Sequence, residues 1–227
     1  PEYVCNRSDH SGRYAFDQQP SIGLWNLNAL AHAFTPFMEI EELKSVLMTY
    51  EVTLITEYQR LMKQRLGLRE HQISDPQLVS EIDLLIGEWM NILKDEKADF
   101  HQSFRILSEQ LLSIESRDFN SIADNFINAD RVRHWCVNYH ELQQNLLSLS
   151  NSTWVEVQQK MLRVNPKYVL RNHLAQEVIA AAEQDDFSLC EAYLKVLTSP
   201  FDEHPDLARF SKPPASQDKG IALSCSS

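Results

Sequence analysis

Glycine is the scarce residue of this chain: 5 of 227 positions, or about 2%, against a usual share of about 7%. Strand-to-strand turns draw on glycine for positive backbone angles. A β-sandwich or barrel needs many such turns, so the scarcity points to a helical protein. It also leaves little material for a phosphate-cradling loop of several glycines. Hydrophobic residues at 43% and charged residues at 23% match an ordinary globular chain, not a disordered one. A chain this long can bury roughly 70% of its unfolded surface and needs no staples.

Apolar spacing marks the helices. Pro20 reads as a first helical residue, with Leu24, Leu27, Leu30 and Ala31 following at helical spacing. Pro36 ends that segment. A long helix is predicted over 39–66, its stripe running Leu43, Val46, Leu47, Tyr50, Leu54, Ile55, Tyr58, Leu61 and Met62, with Gly67 at the C′ position. Asp75-Pro76 opens a third helix carrying Leu78, Ile82, Leu85, Ile86, Trp89 and Leu93. Further helices are expected over 97–113, briefly within 114–128, over 131–148 capped by Asp130, from Ser152 or Thr153 to Val164, over 167–183, and from Asp185 or Asp186 to Leu197. These stripes are expected to form the core. No strand, fixed-period repeat or composition break stands out.

Net charge is −11, from 32 acidic and 21 basic residues. That balance argues against duplex nucleic acid and against anionic lipid as partners. No stretch approaches the length of an apolar membrane span. The opening Pro1-Glu2-Tyr3-Val4-Cys5 shows no secretory signal. Four cysteines, Cys5, Cys136, Cys190 and Cys225, make neither a CxxC pair nor a disulfide scaffold, which suits a reducing compartment. Cys136 and His140 share a helix face, yet no further ligands lie nearby, so a metal site is not expected; the pair reads as a buried thiol beside a surface histidine. Glu41-Glu42 and Asp185-Asp186 read as solvated or helix-end charges, and His173 as a core or boundary histidine. Cys136 and Cys190 read as inert core thiols. No hydrolase, zincin, P-loop or dinucleotide motif is present.

One loop is chemically dense. Ser8-Asp9-His10-Ser11-Gly12-Arg13-Tyr14, continuing to Asp17, Gln19 and Pro20, gathers two acids, an imidazole, a guanidinium and a phenol. Such density suits either an active-site rim or a loop pinned by hydrogen bonds. The run Cys5-Asn6-x-Ser8-Asp9-His10-x-Gly12-Arg13-Tyr14-x-Phe16-x-x-Gln19-Pro20, followed by Leu24-Trp25-Asn26-Leu27, resembles the selenoprotein O (SelO, YdiU) family. Asn165-Pro166-x-x-Val169-Leu170-Arg171-Asn172, Pro200-Phe201 and the terminal Ser224-Cys225-Ser226-Ser227 are similar to the same family, in order along nearly the whole chain. Arg7 departs from the histidine expected there.

The resemblance implies an all-α chain: the helical C-lobe and C-terminal extension of a protein-kinase-like, pseudokinase fold. Residues 1–19 would end an activation-segment-like loop, 20–199 form the helical C-lobe and extension, and 200–227 an irregular tail. It implies AMP transfer from ATP, with Mg²⁺, to protein Ser, Thr or Tyr hydroxyls. The nucleotide- and metal-binding residues of the family precede this segment, so no catalytic, cofactor or metal residue carries over and the chain alone is expected to be inactive. Partners would be protein substrates and the N-terminal kinase-like lobe, with no nucleic acid and no membrane. Asp9, His10, Arg13 and Tyr14 would sit near the cleft, holding the segment or meeting the acceptor. Family members end in Cys-Ser-Ser or selenocysteine-Ser-Ser, which makes Cys225 a redox position and implies a Cys5–Cys225 disulfide acting as a switch. The bacterial-type terminus implies the cytoplasm, and a eukaryotic source the mitochondrion. The competing reading is a non-catalytic helical interaction module.

Overall fold

A computed structural model describes Val4, residues 8–68 and residues 75–215. Among the described residues ten α-helices follow one another: α1 (Gln19–Phe34), α2 (Ile40–Arg65), α3 (Pro76–Asp95), α4 (Phe100–Glu109), α5 (Leu111–Glu115), α6 (Asn120–Ala123), α7 (Ala129–Ser150), α8 (Trp154–Val164), α9 (Asn172–Ala182) and α10 (Ser188–Thr198). Short 3₁₀ segments cover Phe16–Gln18 and Pro205–Ser211. No strand occurs among the described residues. Compactness divides the chain into two units, with the boundary between Arg60 and Leu61.

Local chemistry sets most boundaries. Pro76 begins α3 behind Asp75, whose carboxylate accepts the Gln77 amide at 3.0 Å. At the end of α2, the Leu68 amide donates to Lys63 O and the Gly67 amide to Gln64 O, with Gly67 at φ +66. This is a Schellman closure, which needs the left-handed region that glycine enters freely. Thr153 and Glu156 form a reciprocal capping box on α8. Asn128, not Asp130, caps α7: its side chain accepts the Arg131 amide at 3.1 Å.

Two predicted helices are cut by tertiary contacts. The 97–113 segment starts only at Phe100, behind the Asp99 cap, because Lys97 is left-handed at φ 50. It then breaks at Gln110, where the Gln158 side-chain amide donates to the carbonyls of Ser108 and Glu109 at 3.1 Å each. The 167–183 segment is helical only from Asn172. Its first residues stay extended because the amides of Lys167 and Tyr168 both donate to Pro200 O, while Arg171 N donates to the Tyr193 hydroxyl.

The unit beginning at Leu61 holds the core. α3 packs on α7, α6 on α7, and α4 and α5 on α8. Trp89, Trp135 and Tyr139 stack at its centre, with ring centroids 4.5 Å and 5.0 Å apart. Two of the three polar ends meet carbonyls, Trp135 Nε1 donating to Leu85 O and Tyr139 Oη to Leu66 O, while the buried Trp89 Nε1 has no hydrogen-bond partner among the described residues. A smaller cluster of Tyr168, Leu174, Tyr193, Val196 and Phe210 joins α9, α10 and the last 3₁₀ turn.

The unit ending at Arg60 is different. α1 buries no residue, and neither does α2 up to Arg60; the buried Met62 of α2 belongs to the other unit. Of the stripes expected as core, Leu27, Leu30, Val46, Ile55 and Tyr58 are exposed, as is Leu61 just past the boundary, and Leu24, Ala31, Leu43, Leu47, Tyr50 and Leu54 are only half-buried. Within this unit α1 and α2 meet where Tyr50 Oη donates to Pro20 O at 3.0 Å, beside Gly23. A Cβ at Gly23 would lie 2.5 Å from that hydroxyl. Two further expectations are corrected. His140 is buried, stacked on Trp154 at 5.6 Å, because its helix face points into the core. Cys190 is exposed, since it lies on the solvent side of the first turn of α10. Cys136 is buried, which pushes its thiol up to about 12.

Candidate functional site

Asp9 organises the dense loop. Its carboxylate accepts the amides of Arg13 at 3.0 Å and Tyr14 at 2.7 Å, and the Ser11 hydroxyl at 3.4 Å. Gly12 supplies the positive φ of +68 that bends the chain back, and Ala15 N donates to Gly12 O. Gln19 Nε2 ties the start of α1 to Tyr14 O at 2.8 Å. The Asp9 carboxylate is therefore occupied in holding the loop shape.

That shape presents its neighbours outward. Arg13 lies over the Trp25 ring at 4.7 Å and the Tyr14 ring at 5.7 Å, pinning the loop to α1 by cation–π contact. Tyr14 and Trp25 remain about half exposed. His10 is exposed one residue after the organising carboxylate. The fold thus brings Asp9, Arg13 and Tyr14 together with Trp25, a residue the loop motif alone does not implicate. Cys5 and Cys225 lie outside the described residues. Among the described residues no three His, Cys, Asp or Glu side chains gather into one cluster.

The second motif, Asn165 to Asn172, is a strap. Asn165 Nδ2 donates to Arg65 O at 2.7 Å and to Ser108 Oγ at 2.9 Å. Arg105, with a side chain 7% exposed, spans the strap and the Pro200-Phe201 segment. Its Nη1 donates to the carbonyls of Leu162, Asn165 and Phe201; its Nε pairs with Glu109 at 2.7 Å and its Nη2 with Glu203 at 2.8 Å. Lys167 adds a 2.6 Å pair to Glu203. These cations hold the Glu203 carboxyl below its usual range, Lys167 first, despite some burial. No motif in the sequence marks Arg105, although a lone arginine between Phe104 and Leu107 is a signal of a buried tie.

At the start of α4 a second ionic group forms. Arg171 bonds to Asp99, and Arg65 lies 5.2 Å from the Phe100 ring and 5.3 Å from the Phe104 ring. Burial would raise the Asp99 carboxyl, but the bonds from Arg171 and the Gln102 amide outweigh it and the net shift is downward. Burial, with Arg65 and Arg171 nearby, pushes His101 below its usual range.

The motif-bearing loop and strap sit in a chain whose residues 1–198 match the family model for protein adenylyltransferase SelO. The chain belongs to the SelO family. Over all 227 residues it is 44% identical to the protein nucleotidyltransferase YdiU of Pseudoalteromonas atlantica, covering 44% of that protein. It is 39% identical to the protein of the same name from Vibrio vulnificus and 36% identical to that from Vibrio cholerae, again over the whole chain. The chain thus spans less than half the length of these SelO-family relatives. Among the described residues, no helix is long and apolar enough to cross a membrane.

Proposed function

We propose that the chain is the C-terminal helical part of a SelO-type enzyme that transfers AMP from ATP to Ser, Thr or Tyr hydroxyls of proteins. The observation that carries this reading is the family match, which runs from residue 1 to residue 198. In the reaction the acceptor hydroxyl gives up its proton to solvent, its oxygen bonds to the α-phosphorus, the bond from the α-phosphorus to the β-phosphate oxygen breaks, and pyrophosphate leaves. The pseudokinase-like N-terminal lobe would hold ATP and Mg²⁺.

On this reading the loop from Ser8 to Gln19 lies near the cleft. Asp9 is its positioning residue, through the Arg13 and Tyr14 amides. The exposed faces of His10, Tyr14 and Trp25 would meet the acceptor protein. A Cys5–Cys225 disulfide would tie the terminus to this segment and make transfer redox-sensitive in a cytoplasm that is otherwise reducing.

The test uses ATP labelled at its α-phosphorus. The chain by itself should label no protein. A chimera in which it replaces the matching part of the Pseudoalteromonas protein should label itself and acceptors. A folded chimera without transfer, or transfer by the isolated chain, would overturn the proposal.

A further inference from the structure

Two apolar stripes of the unit ending at Arg60 face solvent. On α1 they are Leu27, Leu30 and Phe34, at 36%, 55% and 45% exposure; on α2, Met48, Val52 and Ile55, at 77%, 68% and 49%. Both follow helical spacing, i, i+3, i+7 and i, i+4, i+7. Six such side chains expose on the order of 500 Å² of apolar surface, at the upper end of what a soluble monomer shows and most of one side of a stable interface. Helix propensity cannot account for them, because most helical stability in proteins comes from packing an apolar face.

We infer that these stripes are the seat of the additional polypeptide that SelO-family relatives carry, an inference that rests on the reading of the chain as part of a longer enzyme. Three observations select this occupant. The chain aligns along its whole length yet covers only 44% of the Pseudoalteromonas protein, so more than half of that protein remains to be packed somewhere. No residue of α1, nor of α2 up to Arg60, is buried, while the unit beginning at Leu61 closes a core of its own, although single apolar side chains such as Leu84 and Leu194 stay exposed on it. The segment from Glu39 to Arg60 carries five acids, Glu39, Glu41, Glu42, Glu51 and Glu57, against Lys44 and Arg60. That excess opposes pairing with a second copy and adsorption to anionic lipid.

Met48 is a built-in reporter, with buried Met62 as its internal control. Peroxide oxidation followed by peptide mass spectrometry should convert Met48 at least tenfold more slowly in the full-length chimera than in the isolated chain. Amide exchange supplies a second measurement on a natural protein: segments matching α1 and α2 should exchange at least tenfold more slowly in the full-length Pseudoalteromonas protein than in the isolated chain. Equal rates in both comparisons would overturn the inference. So would concentration-dependent protection of Met48 in the isolated chain with a dimer in sedimentation, which would make a second copy the occupant. Protection of Met48 in a chimera that transfers no AMP would keep the interface and sink the catalytic reading.

Discussion

Replacing Arg105 with Met keeps the apolar stem and removes the guanidinium that joins α4, the strap and the Pro200-Phe201 segment. The loss can be built up from its partners. The Asn165 carbonyl is buried and would be left without this donor, which costs about 1–3 kcal/mol. The carbonyls of Leu162 and Phe201 bond at 3.5 Å and 3.3 Å and are only partly buried, so water replaces much of their loss. Glu109 and Glu203 have side chains 36% and 61% exposed and re-solvate, so each pair contributes about 0–1 kcal/mol. The sum is about 3 kcal/mol. With a urea slope of about 3 kcal/mol/M, the unfolding midpoint should fall by about 1 M. Circular dichroism gives the midpoint. Amide exchange at Lys167 and Tyr168, whose amides donate to Pro200 O, should rise with it. Glu203→Gln should cost less than about 1 kcal/mol because that carboxylate is mostly solvated. An R105M variant within about 0.5 kcal/mol of the parent, with the strap amides still protected, would refute the view of Arg105 as the tie.

Gly67→Ala should destabilise by about 2–4 kcal/mol in urea unfolding, since φ is +66 and the new Cβ would lie 2.6 Å from Val157 Cγ1 and 2.7 Å from Met161 Sδ. Stability should be pH-dependent in two windows. The His101 pKa is depressed in the folded chain, so its contribution is complete above about 6.5 and is lost as pH falls from there through the folded value. The Asp99 pKa is depressed as well, so its contribution is lost only below about 3.9. Thermal unfolding of His101→Phe against pH should show a flatter first window. Peptide mapping after iodoacetamide should find Cys190 alkylated in the native chain and Cys136, buried and pushed up to about 12, alkylated only after unfolding.

Much of the helical architecture was written locally. Asp75-Pro76, Gly67 and the Thr153–Glu156 pair act through bonds within a few residues of themselves, so they can be read in order along the chain. The C-terminal end of α4 and the start of α9 could not be read that way. They are set by Gln158 reaching Ser108 and Glu109, and by Pro200 O accepting two strap amides, partners roughly 30 to 50 residues distant. The residues of the loop at Asp9 suit both a rim and a pinned loop. The geometry shows the carboxylate holding amides, because the backbone turn at Gly12 brings them to it.

Sequence by itself determined the helical class, the caps at Asp75, Gly67 and Thr153, and the SelO kinship carried by motifs from Cys5 to Ser227. Periodicity marks which face of a helix is apolar, but not what covers it. Only the tertiary structure decided that Trp89, Trp135 and Tyr139 meet at a core, that Arg105 is a buried tie, and that the stripes of α1 and α2 face outward. Burial is a property of the packed neighbours, and those are chosen by contacts across the whole chain.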